Sequence, residues 1–554
     1  MEPALPSTAV PRPRGSRWVP ATIILLLVFT YQILSYSGFP NDHFVYVARA
    51  QQMLLGAWPV RDFVDPGFTL MYAASAAGLA VFGHNLLGEA LLVFGSFAVA
   101  AALSYGLVRM AAGSVVVAVL GVALQALAYP RSYSYPKLLL HALAITLIWN
   151  YLARPSLPRR VGLAALVAAG ALARPDHGAV IGLAALIAIL SAGQGAVMDR
   201  ARKALGFAAV TTVVLLPWLI FVHTALGIVP YVRSVLGFTG RKVEVGALDW
   251  PPFPIDLSSL AGPAGGLDHE AFLYYTFLLL PVAGAAYLVR RGAAAAPMPD
   301  ASRRLGIVVL IAVCLNATLL RDPLRNRLAD VAVPQAILAG WLFSAAWRTV
   351  RQAPLAVRLA QRGGVAILAC LLALSVLRLG AAADRLGDIP FLRPSAVLRR
   401  ASGVAWGLRE IQASTGLPKP MPLPALVSYL RACTTPDDRA MYIGYAPETY
   451  FLAERGFAGG HVVFEGAYYA SPEEQALTIS RLQRERVPIV AMRDESTPDF
   501  RHTFTALAGY LDARYVRVGT LELSSDLHQG IYVDRMLSPT GVYEPLGLPC
   551  FRTG

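Results

Sequence analysis

Four stretches of this chain gather acids and bases beside apolar runs. NDHFVYVARAQQMLLGAWPVRDFVDPGFTL carries Asp42, His43, Arg49, Arg61, Asp62 and Asp65. YPRSYSYPK carries Arg131 and Lys137 among tyrosines, and RPDH carries Arg174, Asp176 and His177. RDPLRNRLAD carries Arg321, Arg325 and Arg327. Arginine forks grip phosphate through two bonds and lysine meets it as a point charge. A carboxylate beside such cations can take a proton from a hydroxyl while the cations stabilise a departing phosphate. Asp42 follows the first apolar run directly and is the candidate base. Arg131, Lys137, Arg174, Arg321, Arg325 and Arg327 are the candidate phosphate contacts. His43, Arg61, Asp62, Asp65, Tyr133, Tyr135 and Asp176 are candidates for the surrounding pocket. Plainer readings exist for each group. Asp42 also suits a helix N-cap, a lone interfacial arginine also suits snorkelling to headgroups, and interfacial tyrosines also suit an aromatic belt. Basic residues in four loops on one face favour a bound phosphate.

The elements that must position these groups are membrane helices. The chain has 554 residues, 56% hydrophobic and only 15% charged, where a soluble chain carries roughly a quarter charged. Its net charge of +14 would suggest nucleic acid in a soluble protein. Here the arginine clusters separate apolar segments, which is how topology-setting loops look, so no nucleic-acid partner is expected. Twelve apolar segments run from 18–36 to 365–380. Five regions are rich in Arg and Lys: the N-terminus, 154–160, 200–203, 290–304 and 348–362. The positive-inside rule places all five in the cytoplasm. An even number of segments separates each later pair, but five lie between the N-terminus and Arg154. One of those five therefore does not cross. GFTLMYAASAAGLAVFG (67–83), short and rich in small residues, is the candidate for an interfacial or re-entrant helix. The expectation is a polytopic α-helical membrane protein of about 11 spans in the plasma (inner) membrane. Its N-terminus is then cytoplasmic, its first exported loop is long, and its C-terminus is exported.

The composition becomes soluble-like after about Ala381. The division read from this is a membrane domain over 1–380, a linker over 381–424 and an exported α/β domain over 425–554. Expected strands are Ala440–Tyr445, Pro488–Met492, Tyr515–Leu521 and Gly530–Val533. Expected helices are Pro424–Ala432, Pro472–Arg486 and Thr503–Leu511. Cys433 and Cys550 fall in this tail and can be either a disulfide or two free thiols. No cysteine or histidine spacing suits zinc. No cofactor is certain, and a divalent metal is left open.

The first loop resembles that of the GT-C class of membrane glycosyltransferases, which includes protein O-mannosyltransferases and lipid A aminoarabinose transferases. The resemblance rests on an acid after the first span, an amphipathic helix ending in LLxGxxPxRDF, and a small-rich helix closing in FG. The matching residues are Asp42, Gly56, Pro59, Arg61, Asp62, Phe63, Pro66, Phe82 and Gly83. RDPLRNRLADVAVP also resembles the arginine loop before a late span in these enzymes. The resemblance implies interfacial helices in the first exported loop and Asp42 as catalytic base. It also implies a polyprenyl-phosphate-sugar donor and an exported glycan, lipid or protein acceptor. His43 stands where the class often has Glu, and Asp65-Pro66-Gly67 where many members have a basic residue and Pro-Pro. Rival readings are a transporter or flippase, a polysaccharide polymerase, and an inactive scaffold. A transporter would place ionisable groups in mid-span and show inverted repeats, and no repeat is visible here. A polymerase is expected to lack the acid-plus-RDF loop, whereas the departure at His43 suits a scaffold.

Overall fold

The computed structural model describes residues 18–552 apart from 129, 193–195, 245–249, 255–266, 293–299, 322, 324, 350–353, 388, 391–392, 411–422, 465, 467 and 525–526. The side chain of Arg321 and the whole of Tyr129 lie outside the described residues.

The chain begins with α1 (Trp18–Leu34), α2 (Asn41–Leu54) and α3 (Thr69–Phe82). It continues through α4 (Leu87–Ala112), α5 (Val115–Leu127), α6 (Tyr135–Ala153), α7 (Leu157–Ala173) and α8 (Pro175–Ser191). Then come α9 (Val197–Ala225), α10 (Ile228–Glu244), α11 (His269–Gly292) and α12 (Asp300–Arg321). The short α13 (Arg325–Asp330) precedes α14 (Ala332–Thr349) and α15 (Leu355–Gly380). Among the described residues six helices are long and apolar enough to cross a membrane: α4, α6 with its preceding turn, α9, α11, α12 and α15. Shorter apolar helices, α1, α3, α5 and α8 among them, pack beside these. The chain is a multi-pass membrane protein. Prolines in the first turns of α6, α7 and α8 start those helices where a missing N–H costs nothing. The small-rich α3 has 14 residues, or about 21 Å of helix against a hydrocarbon core of about 30 Å. It packs on α2 and α4.

Two close backbone approaches shape the region around α2. A side chain at Gly178 would meet the Ala171 backbone nitrogen at 2.4 Å, so α7 and α8 touch backbone to backbone. The RPDH turn is the tip of that hairpin. Gly67, at φ 97°, leaves no room for a Cβ, which would stand 2.4 Å from the Pro175 ring. The first loop is thereby pressed against the same tip.

The segment expected as a linker contains two helices, α16 (Ala382–Leu386) and α17 (Pro394–Arg409). α17 buries Val404 and Leu408, and Arg400 donates to the Leu34 and Tyr36 carbonyls at 3.2 and 2.6 Å.

The tail is a small α/β unit. Its elements are α18 (Leu423–Cys433), β1 (Arg439–Ile443), α19 (Glu448–Ala453), β2 (Gly456–Phe457), α20 (Pro472–Leu482) and β3 (Ile489–Arg493). They continue as α21 (Thr497–Thr503), α22 (Thr505–Arg514), β4 (Tyr515–Ser524), β5 (Leu527–Asp534), β6 (Gly541–Tyr543) and β7 (Leu548–Cys550). The main sheet has order β2-β1-β3-β5-β4, with β1 parallel to β2 and β3 and the last two strands antiparallel. All four expected strands and all three expected helices occur with ends shifted by a few residues. Cys433 and Cys550 are joined as a disulfide.

α2 is where tail and membrane helices meet. The Gln51 amide donates to the carbonyls of Tyr450 and Arg455 at 3.1 and 3.0 Å. Gln52 pairs with both backbone groups of Phe457, at 3.1 and 3.3 Å, and so covers the open edge of β2. The Val64 N–H donates to the Gly460 carbonyl at 3.1 Å. A Gln52→Leu change would leave a buried N–H and C=O without partners, at about 1–3 kcal/mol each. The purified variant is expected to unfold at a lower temperature and to lose protease resistance at the tail. An unchanged melting curve would mean that the tail is held elsewhere.

Candidate active site

Asp42 stands in the first turn of α2, where the helix dipole favours a negative charge. The N-cap residue is Pro40 and no side chain caps the helix, so the capping reading of Asp42 fails. Its carboxylate is instead held from two sides. Arg131 Nη1 lies 3.2 Å from Oδ2, and the Tyr445 hydroxyl donates to Oδ1 at 2.6 Å. Arg131 also donates to the Tyr133 hydroxyl at 3.3 Å. Asp42 opens onto a cavity of about 480 Å³ lined by Tyr46, Arg49, Tyr133, Lys137, Arg174, Asp176, Arg327, Tyr445, His461 and Tyr469, among others. This cavity brings together residues of the first loop, all three later basic stretches and the tail.

The cations on its wall are arranged through acids. Lys137 and Arg327 share Asp330: the Lys137 ammonium is hydrogen-bonded to Oδ2, and Arg327 Nη1 lies 3.8 Å from the same oxygen. Arg174 grips Asp176 with two bonds, at 3.2 and 2.9 Å, and its guanidinium lies 4.9 Å from the centre of the Phe68 ring. His177 touches Asp176 at 3.7 Å and meets His141 at 2.6 Å behind it. Lys137 lies 5.8 Å from the centre of the Tyr133 ring. Burial keeps these charges in place only because each has a partner.

The other sequence candidates stand elsewhere. His43 is fully buried, bonded through Nε2 to Glu89 at 2.7 Å and stacked on Phe39. It faces away from the cavity and anchors the underside of α2. Tyr135 is buried outside the lining. Arg61 and Asp62 form an exposed ion pair at 2.6 Å that closes the turn after α2. Asp65 closes the turn before α3: it accepts from the Gly67 and Phe68 N–H groups, each at 2.8 Å, and from the Thr69 hydroxyl. Burial raises its pKa above the usual carboxylate range against those bonds. Asp65 lines a neighbouring cavity of about 470 Å³ between the first loop, α10 and α20. Arg325 lies with Arg131 and Arg385 on a third cavity, about 740 Å³, whose other walls include Val93, Phe94, Phe97 and Leu379. Among the described residues no three His, Cys, Asp or Glu side chains converge in a way that could hold a metal ion.

No family model and no curated protein matches the sequence. Among the solved structures similar to the chain are two of one protein. One is ArnT from Cupriavidus metallidurans bound to undecaprenyl phosphate: 15% identical, TM-score 0.47, with 94% of this chain and 99% of that chain covered. The other is ArnT from the same organism in the apo state: 14% identical, TM-score 0.46, with 93% and 97% covered.

Five residues that matter to the cavity were not among the sequence candidates. Tyr46 and Arg49 follow Asp42 by four and seven residues, a helical spacing that puts them on its face. Asp330 ends the RNRLAD run already singled out. Tyr445 and His461 belong to the tail, and no local signal ties them to Asp42. Burial, with Arg481 and Arg49 nearby, drives the His461 pKa down to about 3, so this ring is neutral at ordinary pH. Glu448, one residue into α19 and near Asp42, is raised by burial to about 7.

Glu448 supplies a pH test. Its pKa is higher folded than unfolded, so the native state holds the proton more tightly. The cost of ionising it is absent below about pH 4, grows as pH rises, and is complete above about pH 7. Glu448→Gln is expected to raise the melting temperature at pH 8 and to leave it unchanged at pH 4. An equal effect at both pH values would show that folding does not raise the pKa of this carboxyl.

Proposed function

We propose that the protein is a glycosyltransferase that moves a sugar from a polyprenyl-phosphate carrier to an acceptor on the exported face of the membrane. The observation that carries this reading is one cavity holding a carboxylate, Asp42, and the cations Lys137, Arg174 and Arg327. In the proposed reaction the acceptor hydroxyl gives its proton to Asp42 as its oxygen bonds to the anomeric carbon. The bond from that carbon to the phosphate oxygen breaks, and the electron pair leaves with the lipid phosphate. Lys137, Arg174 and Arg327 stabilise the charge that grows there. Arg131 and Tyr445 aim the carboxylate. The amphiphilic donor also suits the first-loop resemblance to GT-C enzymes.

The exported side is supported by chemistry in the tail. The Cys433–Cys550 disulfide belongs to an oxidising compartment, and Tyr445 of the same unit touches Asp42. The site then lies on the side away from the basic loops, as the charge bias requires. Residues 425–554 are proposed to be the exported domain, and the first 380 residues the catalytic membrane domain.

Membranes containing Asp42→Asn are expected to incorporate sugar from a polyprenyl-phosphate donor at least about 100-fold more slowly than wild type. Lys137→Met is expected to weaken retention of the polyprenyl phosphate itself. Equal activity in a folded, equally expressed Asp42→Asn protein would refute the assignment of the base.

A further inference from the structure

Arg49 is a buried cation that the proposed reaction does not use. It lies about 10 Å along α2 from Asp42, lines the same cavity, and is 6% exposed. Its Nη1 donates to the Tyr72 hydroxyl at 2.9 Å, and the guanidinium stands 5.3 Å from the centre of that ring. Its Nε has no hydrogen-bond partner. Among the described residues it forms no ion pair. Asp65 is the carboxylate whose field reaches it, and both Asp65 oxygens are already occupied by Gly67, Phe68 and Thr69. The other cavity cations differ: Arg174 has Asp176, while Lys137 and Arg327 share Asp330. Among the described residues phenols surround this guanidinium and the Asp65 field reaches it, but no carboxylate bonds to it, and protein interiors ordinarily complete such a cation with an anion.

The surroundings of Arg49 say which molecule brings that anion. Lys137 lies in the first turn of α6, Arg174 between α7 and α8, and Arg327 in the short α13 before α14, at the ends of apolar helices where the donor's lipid phosphate is proposed to bind. Arg49 instead acts electrostatically on His461 and is itself acted on by Tyr469. Both are tail residues on the cavity wall, and their rings lie 5.2 Å apart. His461 is neutral and adds no competing charge. An aromatic wall with one fixed charge is how a pocket orients a polar ligand.

We propose that Arg49, with His461 and Tyr469, forms the acceptor subsite, and that the acceptor carries an oxyanion there: a carboxylate or a phosphate monoester. The inference rests on the reading of Asp42 as the base, since the acceptor hydroxyl must reach Asp42 from this subsite. The full-length protein in nanodiscs is titrated with glucuronate, glucose 6-phosphate and uncharged methyl glucoside, following the thermal shift. Wild type is expected to bind at least one anionic probe at least about tenfold more tightly than methyl glucoside, by virtue of one charge-assisted bond pair. Which anion wins separates carboxylate from phosphate. Arg49→Met is expected to abolish that preference and to keep polyprenyl-phosphate binding. Arg49→Lys, which keeps charge but not the fork, covers a methionine variant that does not fold and is expected to reduce the preference. No anionic preference in wild type, or one unchanged in either variant, overturns the proposal. Loss of polyprenyl-phosphate binding in Arg49→Met also overturns it, because the oxyanion would then be the donor's. A wild type that ignores polyprenyl phosphate but still shows the Arg49-dependent preference would instead refute the glycosyl-transfer reading.

Discussion

The Asp42 carboxylate is held by two groups from opposite ends of the chain, and the site depends on that double hold. Arg131 reaches it from the turn before α6, and Tyr445 from the end of β1. Neither contact exists unless α2 is packed between α3 and the tail elements α19 and β2. The docking of α2 is therefore a condition for the site. Gln51 and Gln52 bind the tail with side-chain amides in place of backbone pairing. On the opposite side, His43 ties α2 to Glu89 of α4. An amphipathic helix whose polar residues are buried on one side and face a cavity on another needs this many partners, because each unmatched polar group there would cost free energy.

The same logic orders the cations. A lone arginine or lysine buried among apolar helices is destabilising, yet the site has several. The chain meets the cost with acids that share: Asp330 serves both Lys137 and Arg327, and Asp176 serves Arg174 while touching His177. Sharing leaves the cluster with an excess of positive charge at the wall of the cavity. Such a cluster offers an anion a field that is already built and donors that its acids orient. Among the described residues Arg49 is the exception to this pairing pattern.

Much of the frame was legible in the sequence. Counting segments between basic loops singled out 67–83, and that segment forms the short α3 packed on α2 and α4. The tail strands declared themselves by β-branched and aromatic runs between turn residues. Asp42 was visible from its place after the first apolar run. The burial of His43 was not, because it depends on Glu89, 46 residues away. Asp65 was a candidate for the pocket and instead closes the turn before α3, because its role is defined by three groups that follow it within four residues. The helix α17 was legible and passed over: Val397, Ala401, Val404 and Leu408 recur at helical spacing in the stretch read as a linker. Tyr445 was out of reach of any local pattern, since 403 residues separate it from its partner.

What decides between a solvated acid and a working base is whether its neighbours fix its direction without burying it. The Asp42 side chain is 37% exposed and that of Arg131 is 38% exposed. Surface ion pairs of that kind add little stability, so stability is a poor reason for keeping this one. The tyrosine from the tail changes the balance. Apolar packing already holds the tail to the first loop, Phe44 on Phe451 and Phe63 on Phe457, so the Tyr445 hydroxyl is not needed to fasten it. A contact that adds little as a fastener is better explained by the direction it imposes on one carboxylate oxygen. That direction points Asp42 into the cavity where the shared cations end, which is the geometry that proton removal beside a departing phosphate requires.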